Sequence, residues 1–176
     1  MYSTLTNVWI GTSVENQEAA DLRIPILLET PAVVRWLSIE PLLGPINLTE
    51  IGADSNELEI SDNVLTGRVG LRYGSSQGPK IDWVVVGGET GPGSRPMNPE
   101  WVESIKNQCI THNIPFLFKQ WGDWGQIDAD GADTKIFNTH IMYRTGKKIA
   151  GRVLNGKTWD GYPPQAVVFG ARPAET

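Results

Sequence analysis

Four short apolar runs, each closed by small or acidic residues, constrain this chain more than any other feature. They cover residues 8–14, 33–39, 83–86 and 115–119, are rich in β-branched and aromatic residues, and are bounded by Gly, Pro or Asn. A helical pattern separates the third from the fourth. Asn98 is a good N-cap, Pro99 suits the first helical position, and Glu100 complements the positive end of the helix dipole. Trp101, Val102, Ile105 and Cys109 then share one stripe, and the helix should stop near Asn113, ahead of Pro115. Between the first two runs residues 17–23 read as helix, with Pro25 starting or kinking a second turn through Leu28 and Pro31 closing it. Strand, helix, strand at this spacing implies parallel strands joined by right-handed crossovers. The expected fold is α/β, a partial (β/α) barrel of about four parallel strands.

Two stretches fall outside that alternation. The one at about 52–80 is rich in Gly and Ser and reads as a mobile insertion, with a short hairpin around 65–73. After Trp124 the pattern becomes irregular, with a strand over 136–143 turning at Thr145-Gly146 and a glycine-punctuated stretch over 151–159. The expected organisation is a partial barrel over 1–122 and an extension over 123–176 packed on it. A partial barrel leaves a sheet edge and an inward face without partners, which predicts a homo-oligomer or a missing N-terminal half as the cover.

The chemistry of such a sheet belongs at the carboxyl ends of its strands. The first run ends in Ser13-Val14-Glu15-Asn16, the second in Ser38-Ile39-Glu40, the third in Gly87-Gly88-Glu89 and the fourth in Lys119-Gln120-Trp121. Counting back by twos puts Ser13 with Glu15, Ser38 with Glu40, and Lys119 with Trp121 on one face. Three carboxylates and a lysine on one rim are costly unless paired, solvated or used on a ligand. The candidate ligand-binding residues are therefore Ser13, Glu15, Asn16, Ser38, Glu40, Gly88, Glu89, Arg95 and Lys119. Against this, Glu40 could pair with Arg35 or Arg95, Glu15 could cap the following helix, and the glycine-rich loop carrying Arg95 could be a rigid connection with an internal ion pair. An excess of acid over base on the rim would suit a positively charged group.

Composition removes several alternatives. One cysteine, Cys109, excludes an internal disulfide and an all-cysteine metal site within one chain, and no metal site is expected. No apolar run approaches a membrane span and the first residues do not resemble a secretory signal, so the expectation is no membrane and a cytoplasmic location. The net charge of −5 gives no global case for nucleic acid. Lys147, Lys148, Arg152 and Lys157, flanked by Tyr143 and Trp159, could still touch phosphates or a stacked base, or form a solvated basic face.

Taken together, Asn7-Val-Trp-Ile-Gly-Thr-Ser-Val-Glu-Asn-Gln17, Leu37-Ser-Ile-Glu-Pro-Leu-Leu-Gly44, Asp82-Trp-Val-Val-Val-Gly-Gly-Glu-Thr-Gly-Pro-Gly-Ser-Arg-Pro96 and Pro115-Phe-Leu-Phe-Lys-Gln-Trp-Gly122 resemble a family of often phage- or prophage-encoded proteins. That family is similar to radical S-adenosylmethionine enzymes. Its members carry an N-terminal cysteine cluster for a [4Fe–4S] centre, which these residues lack, so the resemblance implies no cofactor in this chain. S-adenosylmethionine and the cluster would belong only to a full-length form, in which Ser13, Glu15, Ser38, Glu40, Glu89 and Arg95 would face the cofactor or substrate. Two functions follow from it: the catalytic half of such an enzyme, acting on a nucleic acid or nucleotide, or a non-catalytic barrel remnant that binds ligands.

Overall fold

The computed structural model describes residues 7–52, 61–71 and 74–164. The order is β1 (Trp9–Ser13), α1 (Gln17–Glu29), β2 (Val34–Ile39), β3 (Arg68–Leu71), β4 (Gly74–Gln77), β5 (Trp83–Gly87), α2 (Pro99–Thr111), β6 (Phe116–Gln120), β7 (Trp124–Gly125), β8 (Thr134–Phe137), β9 (His140–Arg144) and α3 (Lys147–Ala150). Strands β1, β2, β5 and β6 form one parallel sheet in that order, as the strand–helix alternation predicts. The sheet is open, and the described strands do not close into a barrel.

The two faces of the sheet differ. On one, Leu37, Ile39, Val84, Val86, Phe116 and Phe118 pack with Ile24 and Leu27 of α1 and with Val102, Ile105 and Cys109 of α2. Apolar side chains at every second strand position and at helical spacing on α2 supply this layer. On the other face the register aligns Gly11 with Trp36 and Trp36 with Trp83. Trp83 stacks obliquely on Trp36 at 5.5 Å and meets Trp9 edge-on at 6.0 Å. The Trp36 ring lies where a Cβ on residue 11 would be, so this aromatic layer needs a glycine there.

Helix α1 runs unbroken through Pro25, contrary to the expected kink or second start. Its Asn16 cap and the burial of Ala19, Ala20, Ile24 and Leu27 hold it against the loss of one backbone hydrogen bond. Helix α2 follows its sequence signals, with Asn98 capping, Pro99 in the first turn, and the chain leaving through Asn113 at a φ of 56°.

The stretch expected to be a mobile insertion is tied into the fold where it is described. Ile51, Val64 and Leu65 are buried in the core, and Ile51 and Asp62 exchange backbone hydrogen bonds at 3.0 and 2.9 Å. The hairpin pairs 68–71 with 74–77, a few residues later than expected; residues 53–60 lie outside the described set. The C-terminal region is likewise less irregular than expected. Strands β7, β9 and β8 form an antiparallel sheet, and the turn falls at Asn138, with a φ of 47°, instead of Thr145-Gly146. Asparagine tolerates that left-handed conformation, whereas Gly146 ends β9 and starts α3.

Residues 159–161 then run along the outer edge of β6. Phe118 N–H donates to the Trp159 carbonyl and Gly161 N–H to the Phe116 carbonyl, each at 3.0 Å. The Trp83 indole donates to the Gly161 carbonyl at 2.8 Å, and Tyr162 lies 5.2 Å from the Trp83 ring. The chain thus covers one of the sheet's two edges itself.

At the carboxyl ends of β5 and β6 the backbones approach so closely that a Cβ on Gly88 would collide with the Trp121 carbonyl. Backbone on both sides leaves nothing flexible to yield. Gly88→Ala should cost about 3 kcal/mol or more, read from urea unfolding; a loss below about 1 kcal/mol would show that the ends can spread.

Candidate functional site

Asn16 caps α1 and so turns the chain sharply at the end of β1. That turn aims Arg23, two turns along the helix, back at the strand end. Arg23 Nη1 donates to Glu15 Oε2 at 2.9 Å and to the Ser13 carbonyl at 2.8 Å. Glu15 therefore does not cap α1; the Asn16 side chain does so, accepting from Ala19 N–H at 2.9 Å. Both members of the Glu15–Arg23 pair are partly exposed, so it orients more than it stabilises.

Glu40 leaves the end of β2 and crosses above β5, because Gly87 has no side chain to block it; a Cβ there would lie 2.9 Å from Glu40 Oε1. On the far side Lys119 Nζ donates to Glu40 Oε2 at 2.8 Å and Gln120 Nε2 donates to Oε1 at 2.9 Å. The partner is thus Lys119, not Arg35 or Arg95. Arg35 instead donates to the Thr30 carbonyl at 2.9 and 3.1 Å. Strict alternation would send Lys119 and Gln120 to opposite faces, but the register shifts between Val86 and Gly87, and Gly87 aligns with Gln120. This irregularity brings both side chains to one carboxylate.

Glu89 and Arg95 close the glycine-rich loop on itself. The guanidinium Nε and Nη2 and the Arg95 backbone N–H each donate to the Glu89 carboxylate at 2.8 Å. These bonds, first among them the side-chain pair, hold the Glu89 carboxyl down at about 2 against an ordinary 4.5, with burial opposing. Arg95 is raised in turn, chiefly by its hydrogen bond to Glu89 and last by the charge of Glu15. The loop is fastened further by Asp123, whose Oδ2 accepts from Gly91 N–H at 2.8 Å and Ser94 Oγ at 3.2 Å.

The rim therefore carries three carboxylates and three cations in adjacent pairs. The expected excess of acid is absent, because Arg23 had not been counted. Of the other candidates, Ser13 and Ser38 lie in register across β1 and β2 and their hydroxyls make no hydrogen bond among the described residues. Asn16 is committed to its cap, and Gly88 to close packing with β6. Sequence reasoning missed Arg23 and Gln120. The first carried a signal, a cation eight residues after Glu15 across a cap residue; the second depended on the register shift, which has none.

Other reactive residues are structural. Burial pushes the Cys109 thiol up to about 12, so it stays protonated and inert. His112 Nδ1 lies 2.8 Å from the Gln108 carbonyl oxygen at the end of α2. Among the described residues no group of three or more His, Cys, Asp or Glu could hold a metal ion, and no helix is long and apolar enough to cross a membrane.

The depressed Glu89 carboxyl has a pH signature. A lowered carboxylate contributes stability that is complete above its unfolded value and lost as pH falls through the folded one. Allowing for solvent screening, Glu89→Gln should lower stability at pH 7 by about 1 kcal/mol. The gap to the parent should shrink as pH falls from 4.5 towards about 2. Urea unfolding across that range tests this; a gap independent of pH would remove the carboxylate as its cause.

No curated protein and no solved structure matches the chain. A protein family does, over residues 1–163 of the 176, which takes in every strand end described above. The chain belongs to that family, described as a protein of unknown function (DUF5131).

Proposed function

We propose that this chain is the C-terminal, ligand-binding portion of a protein similar to radical S-adenosylmethionine enzymes, with its binding surface at the carboxyl rim of the parallel sheet. The observation that carries the reading is the bridge from Glu40 across Gly87 to Lys119 and Gln120, beside the unengaged hydroxyls of Ser13 and Ser38. Ligands of parallel α/β sheets bind at this end of the strands.

A [4Fe–4S] cluster does not fit this chain. Cys109 is its only cysteine, and it is buried on α2 among core side chains. A cluster would need thiolates from outside this sequence. The rim does fit the polar part of S-adenosylmethionine: Ser13 and Ser38 offer hydroxyls, and Glu40 offers a carboxylate already fixed in place. Glu15 with Arg23 and Glu89 with Arg95 frame that surface and hold its loops. When bound in a completed enzyme, the cofactor supplies one-electron chemistry; the residues here orient it and exclude water. A second copy or an N-terminal half would join at β1, whose outer edge has no strand partner among the described residues.

A non-catalytic binding module is the alternative, and the cationic cavity described below favours it. Contact with nucleic acid has less support. Trp159, a candidate base-stacking platform, already carries Lys157 Nζ at 3.9 Å from its ring centre and donates its indole N–H to the Leu154 carbonyl.

Calorimetric titration of S-adenosylmethionine into the chain is the test. Binding should be detectable below about 1 mM, and Glu40→Gln should weaken it about tenfold. Glu89→Gln should leave the affinity within about twofold, since Glu89 holds its loop and not the ligand. No binding heat, or equal losses in both variants, would overturn the assignment.

A further inference from the structure

We infer that a second site, adjoining the rim and sharing Lys119 and Gln120 with it, binds the phosphate group of a small phosphorylated molecule. It is a cavity of about 370 Å³ between the end of β6 and α3, lined by Lys119, Gln120, Lys147, Lys148, Gly151 and Arg152. That volume is within the range that holds small ligands.

Four of its six lining residues are cations, in a chain whose net charge is −5. Two have partners: Lys119 pairs with Glu40, and Arg152 with Asp160. Lys147 and Lys148 make no ion pair among the described residues. Two uncompensated ammonium groups around one cavity repel each other unless an anion lies between them. A phosphate, with two charges and several acceptor oxygens, matches that excess.

Gln120 supplies an independent sign of a ligand. Its side chain is buried, and Nε2 is committed to Glu40, which fixes the amide's orientation. Its Oε1 is buried with no hydrogen-bond partner among the described residues. Such orphaned acceptors are rare, and this one lies in a residue that lines the cavity. The occupant that suits both features carries a phosphate and, beside it, a hydroxyl or amine that can donate to Gln120.

The cavity walls are rigid, as a binding site requires. Trp121 N–H donates to the Gly151 carbonyl at 3.1 Å, and the Trp121 indole to the Val153 carbonyl at 2.8 Å. On the other side of α3, a Cβ on Gly125 would lie 2.7 Å from Ala150 Cα. The backbone around the short helix is therefore held between Trp121 and β7. Strong net negative charge elsewhere on the chain disfavours a long polyanion and leaves a small phosphate as the occupant.

The experiment titrates ribose 5-phosphate, inorganic phosphate and a short oligothymidylate into the intact chain by calorimetry. Ribose 5-phosphate should bind with a dissociation constant below about 1 mM, and more tightly than inorganic phosphate, which lacks the hydroxyl donors. A Lys147→Gln/Lys148→Gln double variant, both positions being exposed, should fold with unchanged melting temperature and bind at least about tenfold more weakly. Absence of ribose 5-phosphate binding, or binding unaffected by the double variant, would overturn the inference. So would an oligothymidylate that binds far more tightly and with steep salt dependence, since the site would then read a nucleic-acid backbone. Lys119 and Gln120 serve both sites, so the variant is placed at Lys147 and Lys148, which the rim bridge does not use: ribose 5-phosphate affinity should fall while S-adenosylmethionine affinity is kept.

Discussion

Two backbones in contact, at the ends of β5 and β6, hold together the carboxyl rim of the parallel sheet and the cavity beside it. Gly88 N–H donates to the Gln120 carbonyl and Asp123 N–H to the Glu89 carbonyl, both at 2.9 Å. Side chains are excluded on both sides: Gly88 abuts the Trp121 carbonyl, and Gly122, at a φ of 83°, abuts Glu89. From this junction one branch leads through Gly87 to Glu40, Lys119 and Gln120. The other leads through Asp123 to the Glu89–Arg95 loop, and through Trp121 to α3 and its lysines. The rim and the cavity are two consequences of one close approach.

Charge is arranged accordingly. Glu15 and Glu40 each meet a cation on a neighbouring element and Glu89 meets one in its own loop, so the pairs fasten loops more than they store energy; partly exposed ion pairs contribute little on their own. Glu89 differs because three donors converge on it. The net positive charge lies instead at the cavity, where, among the described residues, Lys147 and Lys148 have no ion-pair partner and Gln120 keeps an unused acceptor. The proposed reading, a binding protein for a small, hydrogen-bonding ligand, rests on this polar, balanced rim and the cation-lined cavity beside it.

Much of the frame was legible in the sequence because local signals agreed. Asn98, Pro99 and the stripe through Ile105 and Cys109 specified α2, and four apolar runs with polar ends specified the parallel strands and their order. What failed depended on contacts that no local pattern encodes. Alternation alone could not reveal that a register shift at Gly87 would bring Gln120 beside Lys119. The position of Asn16 on the rim was clear from the sequence, and its capping bond to Ala19 N–H was not. Pro25 suggested a break, but the buried face of α1 outweighs one lost hydrogen bond. The glycine-rich stretch before β5 looked loose, yet Ile51, Val64 and Leu65 anchor it in the core. The expected barrel is not confirmed: the four described parallel strands form an open sheet.

The direct test of the central claim is native-state hydrogen exchange of the backbone amides at the β5–β6 junction. Gly88, Trp121 and Asp123 should exchange only through global unfolding, with protection equal to the stability measured by denaturant. The amides that Val69 and Ser76 contribute to the β3–β4 hairpin should exchange through local opening. Junction amides exchanging as fast as the hairpin's would show that the ends of β5 and β6 part readily, and that neither the rim nor the cavity is preformed.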